Sequence, residues 1–109
     1  MKIDFDTLKK VAIQRMNGGQ GTVTANMCMA QFGKVIVSSL APRSSIGIHA
    51  HDTSIDINYV IQGEGIAVCN GEEEELHPGI CHICPQGASH SIRNMGDCDL
   101  IMFTVVVEQ

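Results

Sequence analysis

The sequence predicts an all-β domain, a sandwich or barrel of short antiparallel strands, and three observations predict it. From Gly21 onward, apolar stretches are cut by turn residues every eight to twelve positions. Many of these stretches are rich in β-branched residues, which suit a pleated surface. No helical apolar period runs through the same region.

The elements follow in chain order. Strands are expected over 23–32, 34–40, 46–50, 57–62, 65–69, 73–76, 82–84, 90–94 and 100–107. The sharpest local signal lies between 65 and 76, where Asn70-Gly71 supplies the positive φ angles of a two-residue type I′ hairpin. Glu72 to Glu75 sit on the returning strand. Alternation sends neighbours to opposite faces, so they read as a charged, solvated edge rather than a cation trap. Before Gly21 two readings stand. Asp6 caps a helix with Leu8, Val11, Ala12 and Met16 on one face and Gly18 past its end, or a strand runs into Asn17-Gly18-Gly19. Either way a barrel of about 21–107 carries a short helical or strand extension, and residues 1–109 make one domain.

Composition narrows the function. The chain has 109 residues, 44% hydrophobic and 17% charged, enough for one buried core. Aromatic residues are 4% and Trp is absent, so Ile, Val, Leu and Met build that core. The net charge of −5 argues against nucleic acid or an anionic membrane as partner. Residues 35–109 hold only two basic side chains, Arg43 and Arg93, against ten acidic ones. No apolar run approaches the roughly 20 residues of a membrane span, and the N-terminus lacks the apolar core of a signal peptide. Five cysteines suit reduced thiols better than a disulfide framework, so a cytoplasmic location is expected. Cys81 and Cys84 form a Cys-X-X-Cys, yet three apart on a strand they face opposite ways and read as small hydrophobes.

The candidate chemistry starts at His49 and His51. Two apart on a strand, both imidazoles leave one face and can converge on a metal ion. Asp56 follows, then Gly63, and after 15 residues the segment Gly79-Ile-Cys-His-Ile-Cys-Pro85-Gln-Gly87-Ala-Ser-His90-Ser-Ile-Arg-Asn94. That segment resembles the second motif of the cupin family at every spacing: Gly, five residues, Pro-X-Gly, two residues, His, three residues, Asn. The stretch from Arg43 to Gly63 is similar to the first motif at His49, His51 and Gly63, with Asp56 in place of Glu and Arg43 in place of the leading Gly.

The resemblance covers about 37–107 and implies a double-stranded β-helix, or jelly roll, with one open mouth. Carried over residue by residue, it implies metal ligands at His49, His51, Asp56 and His90, all pointing into the barrel. It also implies a homodimer, as does a barrel this small with apolar strand faces to cover; the N-terminal segment is the expected interface element. Three neutral imidazoles and one carboxylate leave positions of an octahedral ion open to water, O₂ or substrate, which suits chemistry rather than structure. Asp56 is one methylene shorter than Glu, so it reaches the metal only if the backbone shifts inward, or acts through water, leaving a three-His site. Arg43 lacks the freedom of Gly at positive φ, which predicts a reshaped or strained turn.

Nine other positions remain. Asn58 shares the face of Asp56 and is the best polar ligand contact, while Tyr59 faces away. His82 stands as a second base lining the cavity or as a satisfied structural group, and His77 as an exposed turn residue. Met27, Met29, Met95, Met102 and Phe103 read as core or subunit-interface packing. The function expected is that of a metal-dependent enzyme on a small organic molecule, an oxygenase with Fe, or an isomerase or epimerase with Mn, Ni or Zn. His49, His51 and His90 are then catalytic through the ion they hold. A non-catalytic ligand-binding or sensing protein, or a closed structural metal site, are the alternatives.

Overall fold

The computed structural model describes residues 1–109. Ten antiparallel strands form two sheets: β1(Val11–Gln14), β2(Thr22–Ala30), β3(Gly33–Leu40), β4(Ser45–Ala50), β5(Ser54–Gln62), β6(Gly65–Cys69), β7(Glu72–Leu76), β8(Cys81–Cys84), β9(Ser89–Asn94) and β10(Leu100–Glu108). The larger sheet has the order β1-β2-β3-β10-β5-β8 and the smaller the order β4-β9-β6-β7. Each expected strand from residue 21 onward is present. Cys69 pairs with Glu72 across Asn70 and Gly71, whose φ angles of 48° and 84° make the two-residue hairpin the sequence predicts.

The N-terminal helix does not form. Phe5–Thr7 and Met16–Gly18 are single 3₁₀ turns, and between them β1 pairs with the free edge of β2, Val11 opposite Ala25 and Gln14 opposite Thr22. A ten-residue helix is marginal in water, whereas the edge of β2 offers backbone partners at once. Asn17 and Gly18, with φ of 53° and 81°, then turn the chain. That turn packs against β4 through two glycines: a Cβ on Gly19 would lie 2.2 Å from the Ser45 carbonyl oxygen, and one on Gly47 would lie 2.1 Å from that of Asn17. The segment before β1 crosses the outer face of the larger sheet, Phe5 standing edge-on to Phe103 and Asn26 Nδ2 donating to the Leu8 carbonyl at 3.0 Å.

Inward positions change character along each strand. Val23, Leu40, Ile46, Val60, Ile92, Leu100 and Met102 fill one end of the interior as a dry plug. Toward the other end the same faces carry Asp56 and Asn58 on β5, Thr104 on β10 and His90 on β9, all buried. The apolar end holds the sheets together, and the polar end is the site.

Candidate metal centre

His49 leaves β4 directly opposite His90 on β9, and His51 follows just beyond the end of β4. A register slip between Ile46 and His49 lets Ile46 join the plug while His49, three residues on, still faces inward. The chain is held past the strand by His51 N–H donating to the Ala88 carbonyl at 3.1 Å and Gly87 N–H donating to the His51 carbonyl at 2.7 Å. Gly87 itself has φ 85°, the left-handed turn that returns the chain from Pro85 to His90. Asp56 enters from the other sheet on β5.

These four side chains meet. His90 Nε2 lies 3.0 Å from His49 Nε2, 3.1 Å from His51 Nε2 and 3.1 Å from Asp56 Oδ2, and Asp56 Oδ2 lies 3.4 Å from His51 Nε2. All four donor atoms fall within 4.8 Å of one another. Asp56 therefore reaches the same point as the histidines despite its shorter side chain.

The other ring nitrogens are already spoken for. His49 Nδ1 donates to the Gly47 carbonyl at 2.8 Å, His51 Nδ1 faces Ser54 Oγ at 3.3 Å, and His90 Nδ1 faces His82 Nε2 at 2.9 Å. With each Nδ1 proton spent in this way, three Nε2 lone pairs and a carboxylate oxygen point at one another. A shared proton relieves part of that repulsion; a cation relieves all of it. Ligands at right angles, each about 2.1 Å from an ion, lie about 3.0 Å apart, which is the spacing of His90 Nε2 from its three neighbours here. The donor set fits a divalent transition metal.

Electrostatics agree. Burial holds His49 and His51 below the ordinary imidazole range, against the opposing pull of the Gly47 carbonyl on His49 and of Asp56 on His51. Burial raises the Asp56 carboxyl, but the His90 ring 3.1 Å away, the hydrogen bond from Asn58 and the facing His51 outweigh it and hold the group below the usual carboxylate range. All three sit in the state a metal requires.

Behind the cluster the expected accessory residues take definite places. Asn58 is buried and lines the chamber, and its polar atoms are engaged: Nδ2 donates to Asp56 Oδ2 at 3.1 Å and Oδ1 accepts from Thr104 Oγ1 at 2.7 Å. His82 does not line the chamber. Fully buried on β8, it stands behind His90, and its own Nδ1 lies 2.7 Å from Glu74 Oε1 on β7. Only one proton arrangement satisfies the chain when His90 Nε2 is a ligand: His90 Nδ1–H donates to His82, and His82 Nδ1–H donates to Glu74. The glutamate run is the exposed edge predicted, with this one correction: Glu74, on the face of β7 that also carries buried Leu76, reaches the buried imidazole while its side chain stays half exposed. His77 is exposed and far from the cluster, its Nδ1 against the Pro78 carbonyl.

Cys81 is exposed and Cys84 buried, so the pair does diverge. Burial, reinforced by Cys69, pushes the Cys84 thiol up to about 12, and it stays protonated. Asn94, to which sequence reasoning assigned no role, is a staple at the plug end: Nδ2 donates to the Leu40 and Cys98 carbonyls, both at 2.9 Å, and Oδ1 accepts from Gly96 N–H at 2.8 Å. Arg43 holds φ 65° in an exposed turn, the strained geometry expected where a Gly is missing.

A chamber of about 380 Å³ opens from the cluster between the sheets. A two-sheet antiparallel barrel with a His₃-Asp cluster at the head of its internal chamber is a double-stranded β-helix protein with a candidate metal centre. The Cupin domain family model matches residues 36–106, and the chain belongs to that family. It is 33% identical over 101 residues to an oxalate-binding protein of Thermotoga maritima, covering 87% of this chain and 84% of that one. The crystal structure of a predicted oxalate decarboxylase from Thermotoga maritima superposes with a TM-score of 0.93 at 28% identity, over the whole of both chains. The cupin domain of Schizosaccharomyces pombe Cnp3 superposes with a TM-score of 0.81 at 12% identity over 99% of this chain and 74% of that one, a likeness of fold alone.

Proposed function

We propose that this cupin holds one divalent transition metal on His49, His51, Asp56 and His90 and uses it to bind and transform a small carboxylate in the chamber. The observation that carries the reading is the convergence of three Nε2 atoms and one Oδ2, each fixed from behind by a named partner. A likeness to proteins called oxalate-binding and predicted oxalate decarboxylase supports a carboxylate as the ligand. The ion, with positions left free, supplies Lewis acidity or, with Fe or Mn, electron transfer to the bound molecule.

The residues of the chain bind and orient. Of the side chains lining the chamber outside the cluster, only Lys34 and Glu108, on the strands β3 and β10, carry charge. Asn58 and Thr104 satisfy each other and Glu108 accepts from Thr53, which leaves Lys34 as the one unpartnered acid or base on the lining and no acid–base pair over the ligand. That favours oxygenase or decarboxylase-type chemistry centred on the ion over epimerisation, which needs a paired acid and base. The name of the Thermotoga relative favours a second reading, binding without turnover. We place the chain in the cytoplasm as a homodimer joined through its N-terminal segment, with Tyr59, Ile61 and Ile83, about half exposed on the outer sheet face, as further apolar surface for a contact.

Protein purified without a chelating tag is expected to carry about one ion per chain. His90→Ala is expected to lose it, and His77→Ala to keep it. An ion-free protein that cannot be reloaded, or equal loss in both variants, would overturn the assignment. Oxygen uptake and CO₂ release by the loaded protein with small carboxylates then separate an enzyme from a binding protein.

A further inference from the structure

We infer that the physiological ligand is a carboxylate with a second oxygen on its neighbouring carbon and an aliphatic body of about four to six carbons, larger and less polar than oxalate. The inference rests on the metal reading above and specifies the substrate class of the same site.

Size is the first ground. At roughly 30 Å³ per water, about 380 Å³ is room for roughly a dozen water molecules. Two carboxylates joined directly to each other displace only a few of them. The remaining water would lie against Ile13, Val23, Ala25, Met27, Ile36 and Met102, the side chains of β1, β2, β3 and β10 that form the walls away from the cluster. Ordered water needs polar partners, and among these side chains the wall offers only the Ser38 hydroxyl, between Ala25 and Met102, whereas methylenes displacing that water gain affinity by roughly fourfold each.

Polarity is the second. Beyond the cluster and the Asn58–Thr104 pair, the chamber's hydroxyls are Ser38 and Ser54, and Ser54 faces His51. A second carboxylate projecting from the ion would meet hydrocarbon. At the rim, Val11 is 50% and Met27 47% exposed, apolar side chains left in water where an aliphatic tail would enter.

Charge accounts for the head group. Three neutral imidazoles, one carboxylate and a divalent ion sum to plus one, and four protein donors leave two of six positions for a pair of ligand oxygens. Lys34 is the one basic side chain lining the chamber and makes no ion pair. Glu108, the other charge on the lining, accepts a hydrogen bond from Thr53 at 2.9 Å. The head end thus attracts one anion, and the far wall repels a second.

Calorimetry on the Mn²⁺-loaded protein, an ion that favours six positions, tests this with oxalate and the series glyoxylate, pyruvate, 2-oxobutanoate and 4-methyl-2-oxopentanoate. Affinity is expected to climb along the series and to exceed that of oxalate by at least tenfold at its end. Ala25→Leu, which fills part of the apolar wall, is expected to weaken the longest ligand by at least tenfold and oxalate by less than about twofold, with metal affinity unchanged. If Ala25→Leu does not fold, the series on the unaltered protein decides alone. Affinity that is flat with chain length, or oxalate binding as tightly as the longest member, overturns this inference and leaves the metal centre standing. Failure of the protein to take up Mn²⁺ or any other divalent transition metal overturns both.

Discussion

Replacing His82 by Phe would show whether the metal centre is held from behind. His82 is fully buried with its Nε2 2.9 Å from His90 Nδ1, so the substitution roughly preserves ring volume and deletes the only partner of a proton on an imidazole that is 1% exposed. A buried donor left unpartnered costs about 1–3 kcal/mol. His90 can escape that cost by moving its proton to Nε2, but this removes the lone pair that faces His49, His51 and Asp56. Either route lowers metal affinity. Deleting the partner behind a ligating histidine typically costs about 10- to 100-fold in affinity. That is about 1.4–2.8 kcal/mol, the same size as the desolvation figure reached independently. Competitive titration of Zn²⁺ against a chelator measures the loss, circular dichroism checks the fold, and ¹⁵N-detected imidazole spectra report the His90 tautomer. Glu74→Gln keeps an oxygen acceptor for His82 and removes only a half-exposed charge, so its effect should stay below about fivefold. A folded His82→Phe protein that binds zinc as tightly as the unaltered chain, with the His90 tautomer unchanged, would refute the reasoning.

Three further outcomes follow from the same structure. Asn94→Ala removes three hydrogen bonds at the plug end and should cost about 2–4 kcal/mol in urea unfolding, with little effect on metal affinity. Arg43→Gly relieves a non-glycine φ of 65° and, after the extra freedom glycine has when unfolded, should stabilise by about 0.5–1 kcal/mol. The metal-free protein should lose stability as pH falls. His49 and His51 are held below 6.5, so from about that pH downward the unfolded chain takes up protons first, and Asp56, held below 3.8, adds the same sign in stronger acid. A melting temperature that stays level from about pH 7 to about pH 5 would contradict this.

Much of the barrel was legible because its punctuation is chemical. Asn70-Gly71 dictates a hairpin wherever it sits, and β-branched runs between turn residues leave few other options. The start of β5 was not legible, and the reason is functional: Ser54, Asp56 and Asn58 face inward, so the polar face of that stretch reads as loop. The cluster could be named from spacing, since His49 and His51 share a face and the turn at Gly87 returns His90. The Glu74–His82–His90 chain could not. Its members lie on three strands of two different sheets, and their side chains meet only once the two sheets have closed on each other. Asn94 escaped for the same reason, its acceptors at Leu40 and Cys98 lying on separate segments.

The way the cluster is held argues that it exists for its ligand and not for the fold. A chain selected only for stability has no use for three imidazole lone pairs and a carboxylate at 3.0–3.4 Å, because nothing among them donates. Yet each donor is held in place from behind: Gly47 holds His49, Ser54 faces His51, His82 backs His90, and Asn58 holds Asp56. These contacts meet the cost of orienting the donors during folding, so little remains to be met when an ion arrives. The plug of Leu40, Val60, Ile92 and Leu100, all but fully buried, supplies the stability that the opposite end gives up. Division of the interior into a dry half and a strained half is what lets so small a barrel carry the cluster.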